Sequence, residues 1–169
     1  MSHPEPTPTD HLTNPDEIAS IARLDNEIAY LETHPEEWNQ GLWIGTPHNT
    51  NPQKWSCGTV ACLGGFVAIH AGWTPDPNNP DVEIVGDGDG GPETTAHHYV
   101  TKNGETKTVF AVARELLMLT EDQAEYLFAS ENSIHDLKYL RNEIVHAWEG
   151  REPPTNATSV AVSGAGATR

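Results

Sequence analysis

Cys57 and Cys62 are the two cysteines of the chain. With His48, His70, His97 and His98 they are the side chains best suited by type to chemistry. A thiol near a helix N-terminus has a lowered pKa, because the dipole favours the anion. Cys57 is therefore the candidate nucleophile of a thiol enzyme, with His48, His70, His97 or His98 as its base. Thiolates and imidazoles also ligate zinc, which makes Cys57, Cys62 and His70 the candidate structural metal set. Placement decides what is open to them. Inside one helix, five residues turn about 500°, so the two thiols would point about 140° apart and share neither a zinc ion nor a disulfide. With a helix beginning only at Thr59, Cys57 falls in the preceding loop and both options open. The bland alternative is that both are small buried apolar residues. Gln40-Gly41 and Cys57-Gly58 are too far apart to form a papain-type signature, which is contiguous.

The remaining motifs are weaker. Asp87-Gly88-Asp89-Gly90-Gly91 opens like a calcium loop but has Pro92 where the invariant Gly belongs and His98 at the twelfth position, so a solvated loop is expected. His97 and His98 are adjacent on a strand and point to opposite faces, which unfits them as a chelating pair. Trp38, Trp43, Trp55 and Trp73 surround the most apolar stretch. Core packing accounts for most of them, and Trp38 and Trp43 are the candidate anchors of a protein interface.

The elements that must position these groups follow from pattern. Residues 1–13, rich in Pro, Thr and His, read as a disordered leader. Asn14-Pro15-Asp16-Glu17 is a helix start, and Ile18, Ile21, Leu24, Ile28 and Leu31 recur at helical spacing up to the stop at His34-Pro35. Residues 45–54 read as loop. The nearly uncharged run from Trp55 to Trp73 predicts a buried central helix over about 57–71, capped by Ser56 or Thr59 and stopped by Gly72. Gly64 and Gly65 inside it cost about 1 kcal/mol each relative to Ala, which close approach of another helix or backbone would offset. The run is too short and Gly-rich for a membrane span. Residues 82–85 and 99–101 read as short strands, with a hairpin turn at Lys102-Asn103-Gly104-Glu105. Helices follow from Val109 to Leu119, from the capping box Thr120-Glu121-Asp122-Gln123 to Phe128, and from Ser133 to Gly150. Residues 151–169 read as a disordered tail. The expected architecture is α+β, mainly α: one small domain over 14–150 built around the central helix, with one short β-hairpin.

Composition bounds the function. The 169 residues carry nine Lys+Arg against 25 Asp+Glu, a net charge of −16. Phosphate neutralisation and adsorption to anionic membrane both need cations that are scarce here, so direct nucleic-acid and membrane binding are excluded as expectations. Two cysteines cannot staple a disulfide scaffold. The opening MSHPEPTPTDH has neither a basic nor an apolar signal region, so a cytoplasmic location is expected and the Asn156-Ala157-Thr158 sequon reads as chance.

Three segments resemble a family of small proteins common in phages of actinobacteria and in bacterial genomes: His34-Pro35-Glu36-Glu37-Trp38, Cys57-Gly58-Thr59-Val60-Ala61-Cys62-Leu63-Gly64-Gly65-Phe66, and Leu119-Thr120-Glu121-Asp122-Gln123-Ala124 with Leu127-Phe128. The family often has Trp where Phe66 stands. The resemblance carries no catalytic residue and no cofactor. It implies a phage or phage-derived accessory protein acting in the bacterial host cytoplasm. With the acidic charge and the Trp residues, the expected function is a non-enzymatic protein-binding module that modulates a host protein, one version being nucleic-acid mimicry. The alternatives are a Cys57-dependent enzyme and a small zinc-binding protein.

Overall fold

A computed structural model of the chain describes residues 12–47, 59–76, 78, 83–86 and 93–150. The first helix, α1 (Pro15–Thr33), begins as its sequence dictates. The Asn14 side chain accepts from the Asp16 N–H, Pro15 needs no partner at the first position, and Asp16 and Glu17 face the positive end of the dipole. Its inner face buries Ile21, Leu24, Ile28 and Leu31, each contributing about 1.5–3 kcal/mol relative to exposure. Leu12 is buried in the same core, so packing starts inside the stretch expected to be a disordered leader.

The apolar run is not one helix from 57 to 71. Val60–Ala61 forms a strand, β2, that pairs with β1 (Ile44–Pro47), and the helix α2 spans only Leu63–His70. Thr59 does not cap it, and Ser56, the other expected cap, lies outside the described residues. Cys62 does, its sulfur accepting from the Gly65 N–H at 3.4 Å. The physical reason is local competition. Thr59-Val60-Ala61 carries β-branched residues that suit a strand, and both edges of Ala61 are satisfied: it lies opposite Ile44 on one side, while on the other its N–H donates to Glu37 and its carbonyl accepts from Asn39. Gly72, at φ +83°, ends the helix where expected.

The β structure exceeds the single hairpin expected. One antiparallel sheet has the order β2-β1-β5-β4, with β4 at Glu83–Val85 and β5 at Thr94–His97. The other has the order β3-β6-β7, with β3 at Thr74–Pro75, β6 at Tyr99–Lys102 and β7 at Glu105–Thr108. Residues 45–47, expected as loop, belong with Ile44 to the strand that joins β2 to β5. The predicted hairpin is present between β6 and β7, with Asn103 at φ 53° and Gly104 at φ 82° in its turn. Three helices complete the described residues: α3 (Val109–Leu116), shorter than expected, then α4 (Glu121–Leu127) and α5 (Ile134–Glu149), each of the last two opened by a full capping box. The fold is thus α+β and mainly α. Helix α2 lies against α1 and α3, and α5 against α1 and α4.

The glycines of α2 are spent on one contact. A Cβ on Gly65 would lie 1.9 Å from the Trp43 carbonyl oxygen and 2.8 Å from the Ala61 Cβ, so backbone rests on backbone there. A Cβ on Gly64 would lie 3.0 Å from the Trp43 ring and 3.4 Å from the Ala113 Cβ. We expect Gly65→Ala to cost about 3 kcal/mol or more. Gly64→Ala should cost about 1 kcal/mol or less, because improved helix propensity offsets a tight ring contact. Urea denaturation of the two variants checks this, and equal losses would contradict the backbone contact.

Candidate functional site

Cys57 and His48 lie outside the described residues, so the structure speaks to the chemical candidates through Cys62, His70, His97 and His98. The Cys62 sulfur is fully buried between its own helix and the Trp43 carbonyl, 3.8 Å away. Burial pushes its thiol up to about 12, against the small opposing pull of the Gly65 and Gly64 N–H groups. The dipole argument therefore fails for Cys62: desolvation of the anion outweighs the helix terminus. Cys62 and His70 also sit at opposite ends of α2, eight residues or about 12 Å apart along the axis, too far to share an ion. Among the described residues no group of three or more His, Cys, Asp and Glu could hold a metal. We expect Cys62 to resist iodoacetamide in the native protein at neutral pH and to react on unfolding. Mass-spectrometric localisation of the label checks this, and prompt native labelling at Cys62 would contradict it.

His70 has a partner that was not expected. Its Nδ1 lies 2.7 Å from Oε2 of Glu27, a carboxylate only 5 % exposed on α1. The His70 side chain is 39 % exposed and borders an open groove of about 440 Å³ between α1 and α2, lined also by Arg23, Asn26 and Val67. Tyr30 closes the other side. Its ring meets the His70 ring edge-on at 4.8 Å and stacks on His34 at 4.1 Å, while its hydroxyl donates to Glu37. That hydrogen bond, with burial, raises Tyr30 to about 12. The Glu27 hydrogen bond raises His70 despite partial burial. A carboxylate that fixes Nδ1 orients an imidazole as a base at Nε2, yet among the described residues no nucleophile is paired with it. Sequence reasoning missed Glu27, although a signal existed: a carboxylate sits three residues after Leu24 and four before Leu31, inside the apolar stripe.

A raised folded-state pKa means that the His70 contribution is fully present below about 6.5 and is lost as pH rises through the higher folded value. His97 works the other way, because burial and the neighbouring His98 lower it. That term is common to variants at position 70. We therefore expect the stability difference between the native chain and His70→Gln to shrink as pH rises from about 6 toward 9. Denaturation at a series of pH values checks this, and a pH-independent difference would contradict the dyad.

His97 and His98 do point to opposite faces. His97 is 4 % exposed, its Nε2 lies 2.9 Å from the Thr46 hydroxyl, and its Nδ1 has no partner among the described residues. His98 is exposed and belongs to a second groove.

That groove is built around Trp43. The Trp43, Phe110 and Phe128 rings form a triangle of mutually edge-on pairs with centroids 6.0, 5.9 and 6.0 Å apart, each pair adding about 0.5–1.5 kcal/mol beyond its buried area. The outward side of Trp43 and Phe110, with His98, Tyr99 and Thr108, lines an open cavity of about 480 Å³. The strand end at His98 and the helix start at Val109 are tied by the Val109 N–H donating to the His98 carbonyl. Trp38, the other expected anchor, is half-buried against the core, with its indole N–H held by Gln40 at 3.0 Å. Trp73 is buried in the core, and Trp55 lies outside the described residues.

Charge is distributed unevenly between internal and external use. Of nine Lys and Arg, Lys54, Arg151 and Arg169 lie outside the described residues, which leaves six. Arg23 donates to the Leu116 carbonyl and Lys102 to that of Ala71. Lys107 pairs with Glu105 and Glu115, Arg114 with Glu121, Lys138 with Glu32, and Arg141 grips Asp25 through two 2.8 Å contacts. The carboxylates of Glu17, Glu36, Glu83, Asp122, Glu125 and Glu143 make no ion pair among the described residues.

Among the described residues no helix is long and apolar enough to cross a membrane. No protein-family model matches the chain, and no curated protein or solved structure matches it.

Proposed function

We propose that this chain is a non-enzymatic, acidic protein-binding module and, from the resemblance of its sequence motifs, a phage accessory factor that binds and modulates a protein of the host cytoplasm. One observation carries the binding reading: each of the six described cations already has a partner within the chain, most of them at its surface, while several surface carboxylates make no ion pair among the described residues. Such a surface suits a basic partner, and carboxylates can take the place of phosphates on a nucleic-acid-binding protein. The buried, protonated Cys62 thiol supports the same reading. The thiol-enzyme alternative stays with Cys57, with His48, His70, His97 or His98 as its base, and the zinc alternative no longer has Cys62 and His70 within reach of one ion.

The test is affinity capture by the tagged chain from an actinobacterial lysate at low and high salt, with mass-spectrometric identification. We expect one dominant basic partner, released as salt shortens the screening length from about 10 Å toward 3 Å. Glu83→Gln, Glu125→Gln and Glu143→Gln combined should weaken that salt dependence. Failure to capture any specific partner in repeated trials would overturn the module, and a salt-insensitive complex would overturn mimicry.

A further inference from the structure

We propose that the outer edge of β4 takes an extended cationic segment of the partner protein as an added strand. This rests on the binding-module reading and names where, and in what conformation, the basic partner is held.

A strand at the border of a sheet presents unpaired N–H and C=O groups, and proteins either blunt such borders or bind through them. Among the described residues the two sheets have four borders, and three are blunted. The free side of β2 is occupied by the 37–39 segment, with the Ala61 N–H donating to Glu37 and the Asn39 N–H to the Ala61 carbonyl. Strand β3 has two residues, and its Pro75 has no N–H to donate. Strand β7 carries Lys107, held between Glu105 and Glu115. The fourth border, β4, is open. It pairs with β5, Glu83 opposite Ala96 and Val85 opposite Thr94, and with no other strand among the described residues. All three of its residues are exposed, Ile84 at 55 % and Val85 at 37 %. Two β-branched side chains therefore stand in solvent on opposite faces of a backbone that β5 already holds extended.

These features choose the conformation of the occupant. A helical ligand has its backbone groups already paired, whereas an extended one can complete the ladder and cover Ile84 and Val85. Charge chooses its composition. Glu83 makes no ion pair among the described residues, and Asp81, Asp87 and Asp89 flank it in sequence. From residue 55 to residue 101 the chain contains neither Lys nor Arg. A second copy of this strand would set carboxylates against carboxylates, which is unfavourable across a strand pair, while Lys or Arg on the incoming strand is attracted. Three residues make a short ladder, so pairing supplies direction and charge supplies much of the attraction.

The experiment titrates the full chain with the peptide Lys-Val-Lys-Val-Lys-Val-Lys by calorimetry and follows hydrogen exchange by mass spectrometry. One comparison is the same peptide methylated at every backbone nitrogen, which keeps charge and side chains but removes the donors. The other is Glu-Val-Glu-Val-Glu-Val-Glu. We expect saturable binding of the Lys-Val peptide with slowed exchange at residues 83–85. The methylated peptide should bind at least tenfold more weakly, and the Glu-Val peptide not at all. Glu83→Lys and Ile84→Lys, both at exposed positions outside the core, should each weaken the Lys-Val peptide severalfold. Equal binding of the methylated peptide would reduce the effect to charge and overturn the proposal. So would no saturable binding, unchanged exchange at 83–85, or unchanged affinity in both variants. Dimerisation of the chain that Ile84→Lys abolishes would give the edge to a second copy and also overturn it. If lysate capture succeeds while the peptide fails, the module stands and this assignment falls. If both fail, the module falls with it.

Discussion

The contact on which the rest depends is the Trp43 carbonyl lying on Gly65. Nothing larger than hydrogen fits between that oxygen and the helix, so the entry to β1 and the first turn of α2 are held at a spacing only glycine permits. Several features then follow together. The Cys62 sulfur is enclosed between the same carbonyl and the Gly65 N–H, which is why it caps rather than reacts. The strand β1 is directed into its pairing with β5. The Trp43 side chain leaves the contact toward Phe110 and Phe128, and the face it does not use for packing becomes a wall of the groove. Fold and candidate site thus share one joint.

What the sequence revealed was what is decided locally. Asn14-Pro15, Thr120 with Gln123, Ser133 and Asn103-Gly104 each contain their own hydrogen-bond solution within four residues, so those boundaries could be read directly. The run from Trp55 to Trp73 could not. It is apolar throughout, so neither a period of 3.6 nor of 2 stands out, and its division into a strand and a helix is imposed by Ile44 and the 37–39 segment from elsewhere in the chain. Strands of two to four residues, such as β2, β3 and β1, carry too few positions to show alternation.

The candidate sites divide on the same line. Trp43 drew attention as a large aromatic, but the groove it lines could not be read, because Tyr99 and Phe110 arrive through a hairpin and a helix start more than fifty residues away. Trp38 carried the same signal and turned inward to Gln40. The Glu27–His70 pair joins two helices whose crossing no spacing rule provides. Cys62 is the small buried residue that the bland reading expected, and the height of its pKa follows from desolvation, a property of the packed fold and not of sequence position.

The internal use of the cations has a further consequence for how the molecule responds to its medium. Mutual repulsion among the surplus carboxylates opposes compaction, and dissolved ions damp it. The short pairs, above all the two-point grip of Arg141 on Asp25, are damped far less than repulsion spread over longer distances. Added electrolyte, by damping the spread repulsion while sparing the short pairs, therefore firms the folded body.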